Sequence, residues 1–434
     1  MPALANAHDH ARPIPLSSFG LGFLPLESWL PLSLISAPPD PYLSAAVAFG
    51  KTARSGCAAT MVHYTRPSGR MDPIAEAAEV ARAARDIGIR IAFAPALRDR
   101  NPLSYGDDAA ALKALSAPAA RMVQETYFKP PQSPRAMVDL TDEIAQAIGS
   151  DLVSVQYGPA GVQWCSDALL ELIAERSALN GRRVHMHVLE TIHQRDWADR
   201  TYPEGIIAHL DRIGLLSPRL CLVHCVHARP DEIALLAERG VTVVNCPSSN
   251  FHLRSGLAPV PEICGCGCGL AVGMDGQTLD EDQDMLRELR LAHAVHGGLG
   301  YRRTWQPDAF LAATLAASRR VCDAPGGGAI GPGEPADLLV LDYDRIDCDR
   351  LLPVAPADLL LARASASAVS DLVVDGREVV TDGHLAGFDL LAAEEELRGL
   401  FRVELARQPD FLATLTALRH ALPDAYRDLA GCGF

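Results

Sequence analysis

Arg183-Val184-His185-Met186-His187-Val188-Leu189-Glu190 is the stretch on which the fold turns. It is an apolar run of strand length that closes on a histidine and then a carboxylate. An Ala/Glu-rich stretch with helical spacing, residues 168–179, precedes it. The same unit recurs outward in both directions. Leu220-Cys221-Leu222-Val223 runs into His224, and Leu270-Ala271-Val272-Gly273 runs into Met274-Asp275. Upstream, Pro2-Ala3-Leu4-Ala5-Asn6-Ala7 runs into His8-Asp9-His10. Further strand candidates are residues 57–62, 89–94, 151–155 and 241–244, with helical stretches at 74–86 and 231–239 among the intervals. Strand then helix, eight times over, predicts a (β/α)8 barrel, an α/β fold whose chemistry sits on the loops after the strand C-termini. The histidines and Asp275 fall at those ends.

Five side chains, His8, His10, His187, His224 and Asp275, therefore suit one metal ion. His8 and His10 are two apart, so on a strand they point to the same side. Imidazole and carboxylate together suit zinc and related divalent metals. A metal-assisted hydrolase is the first expectation.

Composition narrows the class. The chain has 434 residues, 48% of them hydrophobic and 21% charged, as in a soluble globular enzyme, and it is long enough for a large domain plus a small one. A formal net charge of −15 repels phosphate backbones, which argues against nucleic acid as a partner. No apolar run is long enough for a membrane span, and the start lacks the basic and apolar regions of a signal peptide, so a cytoplasmic location is expected. The eleven cysteines then read as reduced thiols. Cys264-Gly265-Cys266-Gly267-Cys268 lacks a second pair at zinc spacing and reads as a turn leading into the last barrel strand.

Helical stretches at 281–296 and 308–318 complete the barrel, giving a domain of residues 1–325. After Gly326-Gly327-Gly328 the texture changes. Ala336-Asp337-Leu338-Leu339-Val340-Leu341-Asp342 and residues 369–376 read as strands of a small β domain, 326–390. A helical segment, 391–434, follows, with helices at 392–407 and 411–422.

These motifs resemble the amidohydrolase superfamily, in the branch of aromatic deaminases and s-triazine hydrolases related to cytosine and guanine deaminases. Residues 2–10 resemble the family's first-strand signature, and His187-Val188-Leu189-Glu190 its H-x-x-E. Cys246-Pro247-Ser248-Ser249-Asn250, Gly273-Met274-Asp275-Gly276 and Gly331-Pro332-Gly333-Glu334-Pro335-Ala336-Asp337-Leu338 resemble three further tags in register. The resemblance implies His8, His10, His187 and Asp275 as ligands, His224 beside the ion, and Glu190 as proton shuttle. It also implies a terminal β-sandwich, to which relatives contribute an N-terminal segment that would precede His8. A shortened sandwich with an open sheet edge is therefore expected, and with it a homodimer, the two C-terminal helices helping to cover the small domain.

Two-metal relatives use a carboxylated lysine at the end of strand 4. The chain's three lysines, Lys51, Lys113 and Lys129, lie elsewhere, so one divalent metal is expected, zinc first and iron as the alternative. Candidate substrate contacts just past strand ends are Tyr64, Gln156, Trp164 and Gln277. Gln156 would read an amide edge and Trp164 would stack on a flat ring. The substrate is then a small molecule. The expected reaction is hydrolytic deamination of a nitrogen heterocycle. Alternatives are dechlorination or N-dealkylation of an s-triazine, opening of a cyclic amide, or a non-catalytic relative that keeps the fold.

Overall fold

Eight strands line up in two parallel runs. β1 (Leu4–Asp9), β2 (Cys57–Tyr64), β3 (Arg90–Leu97) and β4 (Val153–Val155) pair in sequence order. So do β5 (Val184–Val188), β6 (Leu220–His224), β7 (Thr242–Asn245) and β8 (Gly269–Val272). A parallel bridge between Tyr157 and Val184 joins the runs on one side. On the other, Asp275 N–H donates to His8 C=O at 2.9 Å, closing the (β/α)8 barrel. The computed structural model describes residues 1–33, 37–100, 105, 108–113, 115–128, 130 and 132–427.

Both faces of each strand are covered, so the strands read as continuous apolar runs and not as alternating ones. All eight residues of β2 are buried. Size alternates instead of polarity. Ala5, Ala7, Ala59, Met61, Ala92, Ala94, Cys221, Val223, Val244 and Ala271 share the barrel interior. Larger neighbours such as Ile91, Phe93 and Val62 face the helices. Asp40, Asp72, Ser133 and Ser166 cap the helices that begin at Pro41, Pro73, Pro134 and Asp167, each accepting a backbone N–H of the first turn. The cysteine tract is the end of helix Val260–Gly265 and the turn into β8, as its spacing suggested.

The small domain is a four-stranded antiparallel sheet, β9 (Leu338–Leu341), β10 (Val369–Val374), β11 (Arg377–Thr381) and β12 (His384–Leu385), in that order. Among the described residues the shortened sandwich is thus one layer. Its outer strand β9 is not left open. The Met1 ammonium donates to Leu339 C=O at 2.8 Å, Leu339 N–H donates back to Met1 C=O at 2.9 Å, and Pro2 bridges Leu338. The opposite edge, β12, is two residues long. The edge argument for a dimer therefore loses its footing.

Asp337 pins this sheet to the barrel. Its carboxylate accepts from Arg90 Nη1 and Arg319 Nη2, each at 2.8 Å, and from Asp375 N–H at 2.8 Å. All three charged side chains are buried.

The C-terminal helices go elsewhere than expected. Helix Leu390–Ala406 packs Leu390, Ala393, Leu397 and Phe401 onto Leu43 and Val47 of helix Pro41–Arg54. Helix Pro409–Arg427 packs against helix Leu26–Leu32 at the barrel mouth, and its Leu418 and Leu422 meet Val123. Leu385 of β12 packs into the first of these clusters, so helix Leu390–Ala406 also meets the edge of the small sheet. No helix among the described residues is long and apolar enough to cross a membrane.

Candidate metal centre and pocket

β1, β5, β6 and β8 deliver the five side chains named from sequence to one point. His8 Nε2 and His10 Nε2 lie 3.1 and 3.0 Å from Asp275 Oδ1, and His187 Nε2 lies 3.2 Å from His8 Nε2. His224 Nε2 is 3.9 Å from Asp275 Oδ2 and 3.7 Å from Glu190 Oε2. His8, His10 and His187 form one group with ligand-atom spacing, and His8, His224 and Asp275 form a second. Sharing His8, they describe a single centre.

The backbone bends to achieve this. His224 has φ +73°, Asp275 +65° and Leu189 +52°, left-handed conformations costly for non-glycine residues. Such costs, of order 1–3 kcal/mol each, persist where surrounding packing enforces them. Each turns the chain sharply at a strand end, so that the side chains converge on the barrel axis.

Neighbouring groups fix the imidazoles. His10 Nδ1 donates to His63 C=O at 2.6 Å, and His187 Nδ1 donates to Ala160 C=O at 2.8 Å. Each Nε2 is left as a lone pair, that of His10 facing Asp275 Oδ1 and that of His187 facing His8 Nε2. His8 Nδ1 pairs with His185 Nε2 at 2.8 Å, and His224 Nδ1 pairs with Asn250 Oδ1 at 3.0 Å. Ser249 Oγ donates to Asp275 Oδ2 at 2.6 Å. Such supports orient ligands and set the tautomer.

A cation fits the vacancy these lone pairs define. Asp275 Oδ1 and His224 Nε2 are buried with no hydrogen-bond partner. The unprotonated Nε2 of His10 and the unpartnered carboxylate oxygen it faces repel each other until a positive ion lies between them. Burial lowers His10 and His224 to about 4 and His187 well below its ordinary value, so all three stay neutral and can ligate. Glu190 is shifted the other way. Burial, with the Asp275 and Glu27 charges added, raises it well above the usual carboxyl range.

Above the centre lies a cleft of about 970 Å³ including its mouth, walled by Leu26, Trp29, Leu30, Trp164, Leu253 and Leu279. Of the four substrate contacts expected from sequence, Trp164 is in this wall. The other three are corrected. Gln156 is fully buried and spends its amide on Val321 C=O and Asp323 Oδ2, both at 2.8 Å. Tyr64 donates to Glu76 Oε1 at 2.7 Å, and Gln277 Oε1 accepts from Lys51 Nζ at 2.7 Å. None of the three lines the cleft. Position after a strand gives proximity, but only packing decides which side chain turns inward.

Sequence reading missed Arg12, Glu27, Trp29, Tyr105 and Tyr426, which all line the cleft. Glu27 and Trp29 come from the long connection after β1, where a Leu-Glu-Ser-Trp-Leu run was the available signal. Tyr426 comes from the last helix, with no local sign of its destination.

A parallel barrel carrying a His/Asp metal centre at its C-terminal mouth defines a metal-dependent hydrolase of the barrel class. The model of the amidohydrolase family matches residues 1–379, and the chain belongs to that family. It is 29% identical over 399 residues to a 5-methylthioadenosine/S-adenosylhomocysteine deaminase of Moorella thermoacetica, covering 90% of this chain and 83% of that one. It is 27% identical over 398 residues to an 8-oxoguanine deaminase of Pseudomonas aeruginosa, covering 90% and 84%. Among solved structures, an adenosine deaminase from Xanthomonas campestris with bound zinc superposes with a TM-score of 0.77 at 25% identity, covering 94% and 86%. An atrazine chlorohydrolase from Arthrobacter aurescens complexed with zinc shares the fold, with a TM-score of 0.70 at 22% identity, covering 92% and 88%.

Proposed function

We propose that this protein hydrolytically removes an amine from a small nitrogen heterocycle, with one zinc ion as its metal. The observation carrying the reading is Glu190, a buried carboxyl 3.7 Å from His224 at the rim of the ligand cluster and inside the cleft. The relatives' names, both deaminases acting on purine compounds, support release of an amine over the alternatives.

His8, His10, His187 and Asp275 would hold the ion. When bound, a divalent ion supplies Lewis acidity and a water acidified towards pKa about 7. Glu190 would take a proton from the attacking water and hand it to a ring nitrogen, then take the second proton from the new hydroxyl and give it to the departing amine, which leaves as ammonia. His224, steadied by Asn250, keeps the attacking water aimed at the ring carbon. Trp29 and Trp164 offer flat apolar faces for the ring, and the aliphatic wall excludes bulk water. Without a lysine at the end of β4, and with both ligand groups sharing His8, one ion per chain is expected.

Ammonia release across purines, pyrimidines, pterins and triazines tests the reaction, with chloride and alkylamine followed in parallel. Ammonia from at least one ring class, lost in Glu190→Gln with metal content retained, is the expected result. Chloride or alkylamine without ammonia would replace deamination by another hydrolysis.

A further inference from the structure

Among the described residues, Arg12 is a buried cation without a buried counter-charge. It follows the metal-ligand pair His8 and His10 and lines the cleft, and it is 6% exposed. Its Nη2 donates to Thr65 Oγ1, while Nε and Nη1 are buried with no hydrogen-bond partner. The guanidinium lies beside Trp29, 6.0 Å from the ring centroid. Among the described residues no carboxylate pairs with it. The charge that acts on it most strongly is another cation, Arg66, ahead of Asp275 and Asp9.

Neither of those acids is free to neutralise it. Asp9 already accepts from Asn6 Nδ2, Ala11 N–H and Gln283 Nε2. Asp275 faces His8 and His10 through one oxygen and accepts from Ser249 through the other. Glu27, which also lines the cleft, accepts from Thr191 through Oε1 and makes no ion pair with Arg12. An unpaired buried guanidinium is costly, commonly by several kcal/mol, and native interiors pair such groups. Here the remaining neighbour is whatever fills the cleft.

We infer that Arg12 is a specificity-determining residue that receives an anionic substituent of the substrate, so that the preferred heterocycle carries a carboxylate as well as the amine. This rests on the deamination reading for the reaction but not for the binding. A carboxylate at Arg12 would supply the counter-charge the guanidinium lacks through charge-assisted bonds, the strong kind. A neutral ring would leave that charge uncompensated and would be disfavoured for the same reason. The carboxylate would also fix the ring's orientation, because Arg12 and Glu190 reach the cleft from different strands, β1 and β5.

The test uses matched pairs on the metal-loaded enzyme: pterin against pterin-6-carboxylate, and cytosine against 5-carboxycytosine. Turnover is followed by ammonia, and binding to the Glu190→Gln holoenzyme is followed by calorimetry. Wild type should favour the carboxylated member of at least one pair by about tenfold to a hundredfold, the range of a hydrogen bond to a charged group. Arg12→Gln should erase that preference, and Arg12→Lys should retain part of it. Metal content and melting temperature of both variants show that the fold is kept. Equal losses for both members of every pair, or no carboxylate preference in either readout, would overturn the inference. A preference in binding without ammonia from any compound would instead overturn the deamination reading and leave the subsite standing.

Discussion

Replacing Gly273 by alanine should unseat the metal centre without touching a ligand. Gly273 follows β8, where that strand meets β1 and closes the barrel. A Cβ placed there would lie 2.6 Å from His8 N, 2.8 Å from His8 Cβ and 3.1 Å from His8 Cα. Ordinary contacts begin at 3.4 Å, so the backbone of β1 must retreat by about 0.8 Å. Backbone atoms cannot rotate away as a flexible side chain would. Overpacking of this kind costs about 1–3 kcal/mol. The displacement falls on His8, which both ligand groups share, and metal distances tolerate only about ±0.2 Å. Metal affinity should therefore fall at least 10–100-fold, the range seen when merely supporting groups are removed. The assay is metal retained per chain across a graded chelator series, with melting curves before and after chelation. Gly265→Ala is the control, since its Cβ would meet nothing within 4 Å and its backbone is helical. If Gly273→Ala keeps the wild-type chelator midpoint, the β1–β8 contact does not set the position of His8 and the argument is wrong.

Other outcomes follow from the same geometry. His187→Ala should lose metal on dialysis and melt lower, because it removes a ligand; elemental analysis that finds a full complement would exclude His187 from the centre. Asn250→Ala should lower kcat with metal content little changed, because it frees His224 Nδ1 without removing a proposed ligand; steady-state kinetics beside metal analysis checks this. Asp337→Ala should destabilise by about 3–5 kcal/mol, the cost of leaving buried charges such as Arg90 and Arg319 without their partner. Denaturant melts measure it, and a loss below about 1 kcal/mol, the worth of a surface ion pair, would show that the junction is hydrated.

The sequence by itself determined the barrel and which five side chains meet at its mouth. Each barrel strand is a local run with both faces covered, and the site residues follow those runs directly, so spacing along the chain maps onto position around the mouth. His8, His10, His187, His224 and Asp275 were legible because a strand end fixes where its next residues point. The tertiary structure decided what spacing cannot carry. Gln156 sits at a strand end as His187 does, yet its amide NH2 is taken by Val321 and Asp323, at and just past the end of a helix far along the chain. Tyr426 reaches the cleft because helix Pro409–Arg427 finds Val123 and the helix Leu26–Leu32, contacts between segments hundreds of residues apart. Asp337 was visible as part of a motif, but its bond to Arg90 and Arg319 was not. Arg12 gave no signal of its own in the sequence; folding buried it with a hydrogen bond to Thr65 and, among the described residues, no paired carboxylate. Local pattern sets which way a side chain starts; burial and the groups already paired set what remains for a ligand.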